Sequence, residues 1–111
     1  MAVSPQGSIR VRFQDVKPYD APASLHDLRG PRDGEFVLPH HVHWGPHRKV
    51  NLSRAGDVLT AYQAVISEGM VGDQVTLLNR SLLLELWSEL ILSARVRNLW
   101  EGRFPELAAA V

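Results

Sequence analysis

Proline placement is the feature that most restricts how this chain can fold. Six of its seven prolines lie within the first 50 residues, namely Pro5, Pro18, Pro22, Pro31, Pro39 and Pro46. Each proline removes a backbone donor and pushes the preceding residue toward extended geometry. Long helices and central strands are therefore not expected in the first half of the chain.

Two short segments of that half have extended character. Residues 8–16 alternate apolar and polar side chains, which is the pattern of a half-buried strand. Residues 35–38 supply a second short extended piece, but a two-stranded ribbon needs a surface to cover. We expect residues 1–38 to form an irregular or partly disordered N-terminal extension, and residues 39–111 to form a small helical domain.

The second half has the periodicity of short helices. One face of the first helix collects Val58, Leu59, Tyr62, Val65 and Ile66. Asn51 or Ser53 is expected to cap its start and Gly69 to end it. Later helical runs are expected to begin at Asp73, Ser81 and Ser93, with Pro105 limiting the last one. The predicted fold is mainly α, a small bundle of three to four short helices over about residues 51–105.

Residues 81–92 are unusually apolar, since eight of the twelve side chains are Leu, Ile or Trp and they surround the predicted helix. A helix that is apolar on every side must be covered on every side. A helical unit of about 60 residues has little surface to spare for that covering. Either this segment is the central helix of the bundle, or one of its faces meets a second chain.

Charge and composition narrow the function classes. Twelve Lys+Arg residues balance twelve Asp+Glu residues, so no overall field attracts nucleic acid or an anionic membrane. The absence of cysteine excludes disulfides, thiol nucleophiles and Cys-based zinc sites. No apolar run reaches the roughly 18 residues of a spanning helix. We expect a cytoplasmic protein that does not contact a membrane.

A histidine cluster invites a metal hypothesis, because His40, His41, His43 and His47 fall within eight residues. Zinc sites usually draw their ligands from rigid positions and include a carboxylate or thiolate. Here proline and glycine surround the histidines, and no Asp or Glu lies between Glu35 and Asp57. We expect solvent-exposed or locally packed histidines and no metal site.

Catalytic motifs are not found in the sequence. It has no GxSxG, Walker, GxGxxG or HExxH pattern, and its serines precede helical runs, where capping explains them. The paired carboxylates Glu85 and Glu89 are typical of a solvated helix edge. We expect no enzyme activity and no cofactor.

The last helical run carries Arg95, Arg97 and Arg103, which suit a solvated face, a protein partner or a DNA-recognition helix. Residues 51–111 contain five Lys+Arg and seven Asp+Glu, which is the wrong sign for a phosphate-driven interface. Arginine together with Trp100 is typical of a protein interface. DNA binding is therefore open but not favoured.

Four segments in a characteristic order carry a family resemblance: HVHWGPHRKVNLS, TAYQAVISEG, LLLELWSEL and VRNLWEGRFPEL. From about residue 40 to residue 107, roughly 60% of the chain, they resemble short bacterial proteins encoded beside AbiEii-type nucleotidyltransferase toxins, including the antitoxins of MenAT systems. Relatives often have proline where this chain has Ser88 and Ser93. Because the likeness begins near residue 40, translation starting downstream of Met1 is a hypothesis.

The resemblance implies an antitoxin that neutralises a toxin transferring nucleotides to the acceptor end of tRNA. Members of the family differ in whether the two proteins bind each other. The apolar segment and the Trp- and Arg-bearing last helix favour direct binding through residues 81–104. The expected partner contacts are Leu84, Trp87, Arg95, Trp100 and Arg103.

Self-association as a dimer is also expected, since the same apolar segment can meet a second copy. Two alternatives stay open. One is a repressor that binds DNA in its own operon through Arg95, Arg97 and Arg103. The other is a structural interaction module that has no toxin partner.

Overall fold

The computed structural model describes residues 20–43 and 48–109. Its strands are β1 (Glu35–Val37) and β2 (Lys49–Asn51), and its helices are α1 (Ala55–Glu68), α2 (Val71–Leu77), α3 (Arg80–Leu86), α4 (Ala94–Arg103) and α5 (Pro105–Ala109). Short 3₁₀ turns cover Leu25–Asp27 and Trp87–Glu89. The fold is mainly α, which confirms the predicted class. Four of the helices have seven or more residues. Helix α4 ends before Pro105 as expected, and the short α5, which begins at that proline, was not predicted.

Strands β1 and β2 form an antiparallel pair in which Phe36 is opposite Val50. Gly34 precedes β1 with a φ of 88°, a conformation that favours glycine, and its carbonyl accepts the Leu52 amide at 2.8 Å. Strand β2 packs on α1, and Val50 is buried there. The ribbon thus covers the bundle, while the predicted strand at residues 8–16 lies outside the described residues.

Helix α1 buries the expected face and ends at Gly69, whose amide donates to the Val65 carbonyl at 2.9 Å. Its start differs from the prediction. The N-cap is Arg54, without a side-chain hydrogen bond, because Asn51 belongs to β2 and its side chain accepts from Ser53 instead. The β2 pairing therefore moves the helix start to Ala55.

Helices α2 and α3, in contrast to α1, begin earlier than predicted. Asp73 lies in the first turn of α2, where its carboxylate accepts the Met70 amide at 2.9 Å. Asn79 is the N-cap of α3, and its side chain accepts the Leu82 amide at 3.0 Å. Ser93 caps α4 as expected, accepting the Val96 amide at 3.3 Å.

The apolar segment at residues 81–92 is not one continuous helix. Helix α3 ends at Leu86, and the chain passes through a 3₁₀ turn into extended residues before α4. The Trp87 and Leu90 carbonyls accept hydrogen bonds from the Arg97 side chain. The turn therefore satisfies these carbonyls with a side chain from α4 rather than with a further helical turn.

Residues 20–32 run across the bundle, and we call them the strap. The Arg29 amide donates to the Val75 carbonyl and the Gly30 amide to the Leu78 carbonyl, both at 2.8 Å. A Cβ at Gly30 would overlap the backbone of residues 77 and 78, so the close approach requires glycine. The strap is therefore joined to α2 by main-chain contacts.

One core cluster unites the buried apolar side chains from both halves. The strap and the loop after β1 contribute Ala21, Leu25, Leu28, Leu38 and Val42, strand β2 contributes Val50, and the helices and the residues that join them contribute the rest. The domain division at residue 38 stays a prediction, and residues 1–19 of the predicted extension lie outside the described residues.

No helix within residues 20–43 or 48–109 is long and apolar enough to cross a membrane.

Candidate functional site

Three aromatic side chains form the interior of the region between α3 and α5. The Trp87 and Trp100 rings are stacked with centroids 6.3 Å apart, and Phe104 meets Trp100 edge-on at 5.5 Å. Both tryptophans are 0% exposed. Offset and edge-to-face contacts add to the free energy gained by burying large rings. This cluster fixes the angle between the end of α3 and α4.

A polar network closes over this aromatic cluster. The Trp87 indole donates to Glu101 Oε2 at 2.8 Å, and Arg97 pairs with the same carboxylate at 3.6 Å, one helical turn away. The Arg97 guanidinium also lies 4.9 Å from the centroid of the Trp87 ring. Burying the indole is therefore compensated by a charged acceptor, which a cation holds in place.

Ile91 protrudes from the link between the 3₁₀ turn and α4. Its side chain is 82% exposed, the most of any large apolar residue that the structure describes. The neighbouring Leu90 is buried, and Leu92 is half-buried. The Ile91 amide donates to the Gln63 side chain of α1 at 2.9 Å. The link therefore presents one isoleucine to solvent on a backbone that is tied to the bundle.

The structure separates the five predicted contact residues into two groups. Leu84 is half-buried on α3, while Arg95 and Arg103 on α4 are exposed. Trp87 and Trp100 face the interior and present no surface in this conformation. The partner-contact role of the five residues stays a prediction.

The arginines of α4 are engaged differently. Arg97 is directed inward to Trp87, Leu90 and Glu101. Arg103 donates to the carbonyl of Ala21 in the strap at 3.0 Å. Arg97 and Arg103, which were predicted for a DNA-recognition helix, therefore make contacts within the chain.

Sequence reasoning missed Ile91, Gln63 and the internal role of Arg97. The spacing of Arg97 and Glu101 was an available signal, because residues four apart on a helix are neighbours. A buried indole usually finds an acceptor, as Trp87 does, although the buried Trp100 Nε1 has none among the described residues. Gln63 had no local signal, since its partner lies 28 residues away.

The histidine region also gains a long-range partner. His41 Nε2 lies 2.7 Å from Asp73 Oδ2, and this pairing links the loop after β1 to α2. Burial raises the pKa of Asp73, but hydrogen bonds from the His41 ring and the Met70 amide lower it by more, so the pKa lies below its usual value. His40 is exposed, His43 is half-buried, and His47 lies outside the described residues.

No metal cluster is present in the part of the chain that the structure describes. No group of three or more His, Asp or Glu side chains there could hold a metal ion. A cavity of about 250 Å³ is lined in part by His43, Lys49 and Asp57. Lys49 pairs with Glu35 at 3.2 Å, and Asp57 accepts the Asn51 amide, so the two charged groups already have partners.

No family model, curated protein or solved structure matches this chain. The candidate site is therefore described by its own geometry: the exposed Ile91 on the link between α3 and α4, whose amide is bonded to Gln63 of α1.

Proposed function

We propose that this chain is an antitoxin that neutralises an AbiEii-type nucleotidyltransferase toxin by binding it directly. The four resembling segments support the class of partner. The observation that carries the proposal of direct binding is Ile91, with 82% of its side chain exposed on a backbone held in place. On this proposal the chain acts by contact and performs no catalysis.

An exposed isoleucine supports a protein partner on energetic grounds. Burying such a side chain fully contributes on the order of 1.5–3 kcal/mol, and little of this is gained within the isolated chain at Ile91. Interface hot spots are central apolar or aromatic groups that a partner desolvates. Ile91 has the exposure that such an anchor needs.

The DNA-binding alternative has less support from the same surface. It relies on Arg95, Arg97 and Arg103, of which Arg97 and Arg103 donate to carbonyls of the chain itself. Phosphate binding requires cationic groups that neutralise several phosphates at once. With the chain formally neutral, a protein partner fits the surface better.

Co-expression with an AbiEii-type nucleotidyltransferase, which the proposal expects to be encoded beside this chain, tests the proposal. The transferase alone should stop growth, and co-expression of this chain should restore growth and yield a complex that co-purifies. Ile91→Asp should weaken the affinity more than about tenfold, because a hot-spot contact is replaced by a charge that must be desolvated.

Val37→Asp is the matched control, since Val37 is also exposed, at 57%, but lies on β1. It should change the affinity by less than about twofold. Failure of the wild-type chain to bind at micromolar concentration would contradict direct binding. If the chain shifts the mobility of upstream DNA and Arg95→Ala abolishes that shift, the repressor is favoured instead. If light scattering gives the mass of two chains and Ile91→Asp reduces it to the mass of one, Ile91 belongs to a dimer interface.

A further inference from the structure

We propose that the cavity between β2, α1 and the loop after β1 binds a small zwitterion with an apolar side chain, the chemical class of a free aliphatic amino acid. This site is separate from the surface at Ile91 and takes a small molecule rather than a protein. The grounds are the size of the cavity, the apolar and charged groups that line it, and the bonds that hold those groups.

The cavity has a volume of about 250 Å³. Pockets that hold drug-sized ligands measure roughly 300–1,000 Å³, so this one suits a smaller molecule. An apolar surface with a few polar groups is typical of ligand sites. Here the apolar lining consists of the buried residues Leu38, Val50 and Ala61, and the polar lining consists of His43, Lys49, Asp57 and Thr60.

Lys49 and Asp57 place opposite charges in the same lining. The Lys49 ammonium pairs with Glu35, which uses one of its three donors. Asp57 accepts the Asn51 amide through Oδ2, which leaves Oδ1 for a second donor. A ligand with a single charge is attracted by one of these groups and repelled by the other. A zwitterion matches both, with its ammonium toward Asp57 and its carboxylate toward Lys49.

Helix α1 brings the charged and apolar parts of the lining together. Asp57, Thr60 and Ala61 are three or four residues apart, so they share one face of the helix. The Asp57 carboxylate is therefore one helical turn from the Thr60 hydroxyl and the Ala61 methyl group. A ligand whose ammonium meets Asp57 has its apolar side chain within reach of Ala61.

The part of the lining that the loop after β1 supplies is held before any ligand binds. The Leu38 amide donates to the Arg48 carbonyl at 2.8 Å, and the Arg48 side chain donates to the Leu38 carbonyl at 2.9 Å. The His43 amide donates to the Pro39 carbonyl at 3.0 Å. Less entropy is lost on binding to a preformed site, which favours binding of a molecule that makes few contacts.

Titration of the full chain with three related compounds, followed by amide shifts in NMR spectra, tests the charge argument. L-Leucine carries both charges, 4-methylpentanoate lacks the ammonium, and 3-methylbutylamine lacks the carboxylate. L-Leucine should bind with a dissociation constant of roughly 1 mM, as expected for so small a molecule, and the other two at least about fivefold more weakly. Equal affinities for the three compounds would overturn the proposal.

Asp57→Asn removes the charge that faces the ligand ammonium but keeps an oxygen for the Asn51 amide. The affinity for L-leucine should fall more than about fivefold, whereas that for 4-methylpentanoate should stay the same or rise, because a repulsion is removed. Asp33→Asn is the matched control, since Asp33 is exposed and does not line the cavity. It should change either affinity by less than about twofold.

Thr60→Leu tests whether binding takes place in the cavity. Thr60 is exposed, so a larger side chain there narrows the cavity rather than crowding the core. The affinity for L-leucine should fall more than about fivefold, with little change in the urea midpoint.

Three results would overturn the proposal: unchanged affinity in Thr60→Leu, the largest amide shifts outside residues 49–50 and 57–61, or no binding of L-leucine at roughly 10 mM. None of them bears on binding of the toxin, which co-expression tests separately.

Discussion

The aromatic cluster and the strap are held in the fold by different forces. The cluster of Trp87, Trp100 and Phe104 rests on buried ring contacts with one charged network at its edge. The strap buries Leu25 and Leu28 in the core and adds main-chain hydrogen bonds to α2, with Gly30 in close contact with the backbone there. Ring burial follows from side-chain type, whereas the strap contacts depend on backbone groups that every residue type carries.

That difference explains which region is visible in the sequence. The aromatic side chains stand out in the sequence by type, and the helical period groups Trp100 with Val96 and Phe104 on one side, although neither signal says that Trp87 and Trp100 are buried. The strap pairs residues such as Arg29 and Val75, which are far apart in sequence, and main-chain bonds leave no pattern of side chains. Asn79 links the two kinds of packing, because its side chain caps α3 and also donates to the Gly30 carbonyl at 3.1 Å.

The largest effect is expected for Trp100→Ala, which would leave a cavity where both Trp87 and Phe104 pack. The free energy of unfolding should fall by about 3–5 kcal/mol in urea titrations. Trp100→Phe is the control and should cost less, because most of the ring contact remains. A loss below about 1 kcal/mol for the alanine variant would show that the cluster does not dominate this end of the molecule.

Gly30→Ala tests the strap in the same way. The added methyl group must displace the backbone at residues 77 and 78, so we expect a loss of about 1–3 kcal/mol. Gly102→Ala is the matched control, since a Cβ there meets nothing within 4 Å on helix α4. It should be neutral or stabilising by up to about 1 kcal/mol. Equal thermal midpoints for the two variants would contradict the close packing of the strap.

Tyr62→Phe tests the contact between α1 and Asn79, whose backbone amide donates to the Tyr62 hydroxyl at 2.9 Å. Removing this acceptor should cost about 1–2 kcal/mol at pH 7. Burial raises the pKa of Tyr62 to about 12, against the opposing effects of the Asn79 hydrogen bond and the Arg32 charge.

The pH dependence of that variant has a definite sign. Because the folded-state pKa of Tyr62 exceeds the usual 10.0, its contribution to stability is complete below pH 10 and is lost as the pH rises toward 12. Wild type should therefore lose stability over that interval more steeply than Tyr62→Phe. Parallel curves of unfolding free energy between pH 9 and pH 12, measured with denaturant, would contradict this account.

The smallest effect is expected for Asp73→Asn, which removes the charge that faces His41. The amide oxygen can still accept the Met70 amide, so the loss at pH 6 should stay below about 1 kcal/mol. The lowered pKa of Asp73 means that its contribution is complete above its usual value of 3.8 and is lost as the pH falls further.

Urea midpoints measured from pH 2 to pH 6 should therefore fall less on acidification in Asp73→Asn than in wild type. His41→Gln, which changes the other member of the pair, is the control. Its urea midpoints should also fall less on acidification than those of wild type, but by a smaller margin than in Asp73→Asn. Identical acid profiles in wild type and Asp73→Asn would show that the loop after β1 is not linked to α2 by this pair.

Much of the helical half could be predicted because its signals are local. The buried face of α1, the stop at Gly69 and the cap at Ser93 all follow from side chains within one or two turns. The start of α1 and the break after Leu86 could not be predicted in this way. The first depends on Asn51 joining β2, and the second depends on Arg97 reaching back to two carbonyls.

The candidate site was only partly accessible from the sequence. Trp87, Trp100 and the arginines stood out by residue type, but type does not say which side chains face inward. Ile91 was one apolar residue among eight in its segment, and only the break after α3 leaves it exposed. The exposure of a residue depends on every element that packs over it, and the sequence pattern of one segment carries no information about those elements.

By itself, the sequence determined that prolines confine the longer helices to the second half, and that leucine and aromatic side chains there must be buried, because both effects act within a few residues. Only the tertiary structure decided that the strap completes the core and that Ile91 is left outside it. Those outcomes depend on hydrogen bonds between distant residues, as between Gln63 and Ile91 or between Gly30 and Leu78, whose partners meet only when the chain has folded.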